Sequence, residues 1–324
     1  MTPDDQALIA TTPEARAAPP GGWAGLSANA RGIAWMLVAA LGFGLVGALV
    51  KMLGQGWGGQ PPLDSLQIAF FRALVALAAV LPFIARAGWS VAVPLYPLRH
   101  LGRGATGLAA LVCGFYAFTH LPLATATSIS FAQPLFMVVL AVLLLHERVR
   151  WRRWTATLVG FAGVLVMLRP GAEAVHPAAL AALANALFVA LSAVQVKAMP
   201  DAERDLTLLF SFAAISSAGL LVPALLVWQA PTALQLGLLV AMGLLAAASQ
   251  AAVIRSYRVG ADATLVAPFD YIRLLVAAVL GFSLFGEVPD AWTGVGAAVI
   301  VLSTLYIARR EAVLGRGPKI PTVR

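Results

Sequence analysis

Residues 104 to 145 read GATGLAALVCGFYAFTHLPLATATSISFAQPLFMVVLAVLLL, forty-two positions without one Asp, Glu, Lys or Arg. As a single α-helix this run would rise about 63 Å at ~1.5 Å per residue, twice the ~30 Å hydrocarbon core of a bilayer. It must fold back on itself, and His120-Leu121-Pro122 is where it does so, giving spans at 104–121 and 122–145. Outward from this hairpin lie similar apolar runs at 32–53, 63–85, 153–169, 177–197, 206–228, 234–257, 263–286 and 291–308. The chain of 324 residues is 60% hydrophobic and 11% charged, whereas soluble domains carry about 25% charged residues. The expected fold is all-α and integral to a membrane, with ten transmembrane helices. Residues 1–31, with Pro3, Pro13, Pro19 and Pro20, cannot build a core and are expected to form a disordered tail. The first apolar run comes too late and is too long for a cleaved leader.

The formal charge of +8 is explained by topology. Lys and Arg are enriched in short cytoplasmic loops. An N-terminus inside places sixteen of the 22 basic residues there, including Arg86, Arg99, Arg103, Arg148, Arg150, Arg152 and Arg153 and the basic 309–324 tail; Arg169 alone falls outside. Both termini are expected in the cytoplasm. No basic stripe with interleaved aromatics points to nucleic acid. Cys113 is the single cysteine and four histidines are scattered, so no metal motif and no cofactor are expected. His146-Glu147-Arg148 does not continue into HExxH, and no serine has a histidine partner within a span, so an enzyme is not expected.

The chain repeats itself. PLFMVVLAVLLLHE, Pro134 to Glu147, overlays LLVAAVLGFSLFGE, Leu274 to Glu287, with five of fourteen positions identical. Each Glu is followed by a helix with small residues, Gly160 and Gly163 in one case and Gly294 and Gly296 in the other; small residues let helices approach closely in lipid. Two five-helix repeats, 32–169 and 177–308, follow. Because five is odd they run in opposite directions, with Glu147 toward the cytoplasm and Glu287 toward the exterior. Inverted repeats are the usual build of secondary transporters, with the substrate near the midplane.

These residues resemble the drug/metabolite transporter superfamily, in particular its EamA-like ten-helix members. The resemblance is carried by GFG at Gly42 to Gly44 followed by Lys51, by FFR at Phe70 to Arg72, by YAFTHLPLATATSISFAQPLF at Tyr116 to Phe136, and by YRVGADATLVAPFDYIRLLVAAVLGFSLFGE at Tyr257 to Glu287. It covers roughly residues 32 to 310 and is similar most of all to bacterial amino-acid exporters of the YddG kind. It implies a secondary transporter in the bacterial inner membrane that exports a small polar metabolite, an amino acid first, by alternating access. An uncoupled facilitator and an exporter of another metabolite or drug are the alternatives.

Polar groups inside spans are costly and mark the candidate site. Arg72 lies deep in span 2, where its guanidinium either holds a substrate carboxylate or braces neighbouring carbonyls. Asp270 and Arg273, three positions apart on span 9, share a face and either pair structurally or meet substrate or proton. Pro134 kinks span 4 and serves as a gating or kink residue, with Gln133 beside it. Tyr116, Gln250 and Tyr271 complete the substrate-binding candidates; Asn185, Gln195, Ser249, Ser128 and Ser130 are secondary, with interhelical or i−4 bonds as the alternative. Lys51, Lys197 and Arg255, near span ends, are expected to snorkel, and Glu147 and Glu287 to cap or pair at loops.

Overall fold

The computed structural model describes residues 26–145, 151–168, 176–199, 203–259 and 266–315. Among them every regular element is helical. Helix α1 (Ala28–Gln55) is opened by Ser27, whose hydroxyl accepts the Ala30 N–H at 3.2 Å, and closed by Gly56 at φ 74°, a left-handed cap that costs glycine little. The first span thus begins inside the stretch assigned to the tail. There follow α2 (Ser65–Ala87), α3 (Pro97–His120), α4 (Leu123–Ser130), α5 (Gln133–Leu145), α6 (Trp151–Leu168), α7 (Pro177–Lys197), α8 (Asp205–Leu226), α9 (Ala233–Arg258), α10 (Ile272–Phe285) and α11 (Ala291–Gly315). A 3-10 turn, Ala267–Tyr271, leads into α10.

Among the described residues seven helices are long and apolar enough to cross a membrane, α4 and α5 counting as one; α6 and α11 contain the shorter apolar stretches Trp154–Val166 and Ala291–Tyr306. With the 3-10 turn and α10 as span 9, the spans number ten. Two departures from the expected spans matter. Helix α3 starts at Pro97 rather than 104, because Arg99 and Arg103 lower the hydropathy but do not stop the helix, and proline suits a first turn. Span 4 is two helices rather than one.

The helices pair by a rule. The most extensive contacts join spans 1 and 8, 3 and 6, 5 and 10, and 2 and 7; next come 1 with 9, 4 with 6, 2 with 8 and 3 with 7. Exchanging each span for the one five places away turns 1·8 into 6·3, 1·9 into 6·4 and 2·8 into 7·3, and returns 2·7 and 5·10 to themselves. The packing therefore carries the two-fold exchange expected of inverted repeats. Small residues set the approach. A Cβ on Gly163 would lie 3.0 Å from the Gly296 carbonyl, so α6 and α11 pack through this pair, whereas Gly294 faces open space. Gly296 is thus spent on internal packing, and only Gly294 is free for another contact.

Candidate functional site

Two interrupted spans meet at the centre of this packing. In span 4 the hydroxyls of Thr127, Ser128 and Ser130 donate back to the carbonyls of Leu123, Ala124 and Ala126 at 2.8, 2.8 and 2.9 Å. The two serines are therefore bonded within their own helix. The Phe131 N–H then turns to the Ser128 carbonyl at 3.1 Å and the Ala132 N–H to that of Ile129 at 2.9 Å, so the α-helix stops and restarts at Gln133. Pro134 stands in the first turn of the restarted helix and has no N–H to offer the Ser130 carbonyl. The register that aligns Pro134 with Leu274 gives span 9 no matching proline, yet span 9 is also interrupted, by the 3-10 turn that contains Pro268.

The breaks touch. The Phe131 and Tyr271 rings lie 4.7 Å apart, and the Arg273 guanidinium sits 4.8 Å from the Phe131 ring and 5.8 Å from that of Phe43 on α1. Arg273 also faces Asp270 at 3.7 Å, their side chains 24% and 33% exposed. The Arg273 Nε is buried without a hydrogen-bond partner among the described residues, which leaves a donor to spare. Two glycines bring these elements together: a Cβ on Gly42 would strike the Ser249 hydroxyl of α9, and one on Gly44 would lie 2.4 Å from Val276 of α10. The GFG motif is thus a contact surface for spans 8 and 9 with Phe43 presented between them.

The structure gathers Asp270, Tyr271 and Arg273 at this junction with Phe43 and Phe131, which polarity-based reading passes over; Gln133 and Pro134 follow Phe131 in the chain, at the restart of the helix, with no side-chain contact to the junction among the described residues. The signal for Phe43 and Phe131 was available in the GFG and SFAQP motifs. Arg72 lies apart: its guanidinium is 6.0 Å from the Phe115 ring of α3. Tyr116 stacks on His120 at 4.1 Å, and Gln250 is exposed on α9. No hydrogen bond, ion pair or ring contact joins Arg72, Tyr116 or Gln250 to the junction among the described residues. Asn185 donates to the Ala110 carbonyl at 2.7 Å and Gln195 accepts from Thr106 at 3.0 Å, so both serve as bonds between α7 and α3.

Lys51 does not snorkel. It is 2% exposed, donates to the Leu121 carbonyl at 2.5 Å and pairs with Glu287, because the end of span 9 and the α3–α4 turn bring acceptors to it. Glu287 pairs as expected; Glu147 lies outside the described residues. A buried histidine also exists, contrary to expectation: His100, near the start of α3, bonds the Ser211 hydroxyl of α8 at 2.6 Å and faces Glu203 at 3.5 Å. It sits on the helix turns that precede the expected span.

Known proteins resemble the chain over most of its length. Residues 30–169 match the model of the EamA-like transporter family. An S-adenosylmethionine uptake transporter of Rickettsia prowazekii is 31% identical, covering 86% of this chain and 93% of its own. A riboflavin transporter of Rhizobium johnstonii is 32% identical over 89% and 94%, and the pseudopaline exporter CntI of Pseudomonas aeruginosa is 29% identical over 86% and 96%. A solved structure 20% identical superposes with a TM-score of 0.56, covering 90% of this chain and 99% of its own, which supports the same fold.

Proposed function

The chain belongs to the EamA-like transporter family, and on that premise we propose that it moves a small metabolite bearing both a carboxylate and a planar or cationic portion across the bacterial inner membrane by alternating access, with both termini in the cytoplasm. The observation that supports this reading is the junction of spans 4 and 9. Arg273 offers an unpartnered Nε to an anion, Asp270 offers a carboxylate to a cation, and the rings of Phe43, Phe131 and Tyr271 offer flat faces. Broken helices at the midplane are where transporters of this build hold substrate. Amino acids, the class the sequence suggests, satisfy the charges; S-adenosylmethionine satisfies the charges and the ring together. Amino-acid export is therefore one arm of the proposal rather than its whole.

The pairing of Asp270 with Arg273 at 3.7 Å gives the carboxylate a cationic partner within its own span, which favours transport without proton coupling. The test is uptake and efflux of labelled S-adenosylmethionine, riboflavin, phenylalanine and glutamate in proteoliposomes, with and without a pH gradient. Saturable movement of a ring-bearing zwitterion in preference to glutamate, at a rate indifferent to the gradient, is expected. Preference for glutamate would overturn the ring-and-charge reading, and acceleration by the gradient would overturn the uncoupled one.

A further inference from the structure

We propose that the segment joining α2 to α3, residues 88–101 together with Arg86, is a docking surface for the headgroups of anionic phospholipids. Helix α2 has 23 residues and rises about 35 Å, so its end stands at the edge of a ~30 Å hydrocarbon core and the residues beyond it lie at headgroup level. There the chain exposes Trp89, Val93, Leu95, Leu98 and Leu101, Leu98 to 83%, next to Arg86 and Arg99, which are also exposed. Trp and Tyr gather at membrane interfaces, and a segment that combines apolar and basic side chains lies in the interface rather than across it. The Arg99 guanidinium sits 5.5 Å from the Tyr96 ring. No Asp or Glu occurs from Ser65 to Leu145. The carboxylate that does reach the segment, that of Glu203, accepts the Leu95 N–H at 3.2 Å and faces His100 at 3.5 Å, and neither Arg86 nor Arg99 has an ion pair among the described residues.

The segment is held from its other side. Val91 is buried and its carbonyl accepts the Thr207 hydroxyl of α8 at 2.8 Å, while Arg99 and Arg103 donate to the carbonyls of Ala198 and Leu208, each at 2.8 Å. These bonds fix the backbone and leave the exposed apolar side chains to the bilayer. The second repeat supplies a comparison. The loop between α8 and α9 lies at the other end of α2 and is fastened in like manner, by Gln67 of α2 to Gln229. It repeats the exposed residues: Trp228 stands two positions past the end of α8 as Trp89 stands two past the end of α2, and Leu234 is second in α9 as Leu98 is second in α3. Yet Leu206 to Ile254 contains no Asp, Glu, Lys or Arg. Both loops suit a membrane surface, but the α2–α3 loop alone of the two adds charge, and the sign of that charge complements an anionic headgroup. The inference needs a membrane-spanning chain and not its cargo, and it holds whichever end faces the cytoplasm.

The test uses the full chain in a Cys113→Ala background, carrying a bimane label on Leu98→Cys or, for comparison, on Leu234→Cys. The protein is placed in phosphatidylcholine vesicles that contain a minor fraction of either brominated phosphatidylglycerol or brominated phosphatidylcholine, whose bromine quenches a label it touches. At position 98 the anionic lipid is expected to quench at lower content than the zwitterionic one, by roughly fivefold for each arginine at ~1 kcal/mol per basic residue near the surface. At position 234 the two lipids should quench alike. Arg86→Gln removes no contact found among the described residues and should lower the preference at 98 by about fivefold; adding Arg99→Gln should abolish it, and raised salt should weaken it in the parent. Equal quenching by the two lipids at 98 overturns the proposal, as does a preference that survives in both Arg86→Gln and the double variant. Quenching by neither lipid at 98 also overturns it, since a protein partner or a second copy would then cover the segment.

Discussion

Arg273→Lys separates charge from shape at the junction. Lysine keeps the positive charge opposite Asp270, a pair that is a quarter to a third exposed and so contributes at most ~1 kcal/mol. What it loses is the flat guanidinium that lies between the Phe131 and Phe43 rings at 4.8 and 5.8 Å, together with the spare Nε donor. Each cation–ring contact at a partly exposed site amounts to about 0.5–1 kcal/mol, so two amount to roughly 1–2 kcal/mol. A lysine ammonium, a point charge on a flexible stem, cannot face both rings at once. If that positioning is needed to present the Nε to substrate, affinity should fall by about 5- to 30-fold, at ~1.4 kcal/mol per tenfold. The assay is the concentration dependence of transport in proteoliposomes, with thermal unfolding in detergent as the control for fold. A KM raised in that range, with a melting temperature lowered by no more than a few degrees, is expected. Parental KM in a folded Arg273→Lys protein would refute the assignment of Arg273 to the substrate site.

The other predictions test the remaining elements. Arg72→Ala should leave folded, inserted protein with near-parental transport, because Arg72 faces the Phe115 ring at 6.0 Å and makes no ion pair and no contact with the junction among the described residues; loss of transport in folded protein would return Arg72 to the site. Gly44→Ala puts a methyl 2.4 Å from the stiff Val276 side chain and should destabilise by about 1–3 kcal/mol, read as a lowered melting temperature that Val276→Ala restores; no loss would show that α1 and α10 are not packed through this glycine. Pro134→Ala should keep the melting temperature, since proline in a first turn is tolerated, but slow transport by letting span 4 run continuously; parental transport would dismiss the break as a working part. Joining Gln67→Cys to Gln229→Cys with a short bismaleimide should leave transport intact, because Gln67 already holds Gln229 with bonds of 2.7 and 3.1 Å; arrest by that link would mean that spans 2 and 7 separate during the cycle.

Hydropathy made the ten spans legible, because transfer into lipid is a property of each segment by itself. It could not show what a partner supplies. Lys51 looks the same to a transfer scale whether it reaches water or a carboxylate 236 positions away in sequence, so its burial was invisible. His100 was missed because the charges of Arg99 and Arg103 ended the apolar run before the helix ended. The junction was half legible. Asp270, Arg273 and Tyr271 stood out as polar residues in an apolar span, and Pro134 marked the break nearby. Phe43 and Phe131 are ordinary in composition, and only contact with Arg273 distinguishes them. The break in span 9 had a signal in Pro268, but register with Pro134 directed attention six residues further on.

The exchange of the repeats also sorts the helix pairs by what they can do. If the two end states of transport differ by the repeats trading conformations, a pair that maps to itself, spans 2 with 7 or 5 with 10, must look alike in both. Pairs that map to others, 1·8 with 6·3 and 1·9 with 6·4, are free to trade. The contacts of spans 2 and 7 and of spans 1 and 9 differ accordingly. Spans 2 and 7 are fastened at both ends, by Gln67 to Gln229 and by Thr207 to the Val91 carbonyl at 2.8 Å, with His100 and Ser211 tying α3 to α8 beside the latter. Spans 1 and 9 instead carry the Lys51–Glu287 pair at one end and the Arg273–Phe43 contact at depth. Substrate groups at the junction and the charge pair at the end therefore lie on helices that symmetry allows to change neighbours, and the Asn185 and Gln195 bonds of α7 to α3 are ones such a trade would have to break or carry along.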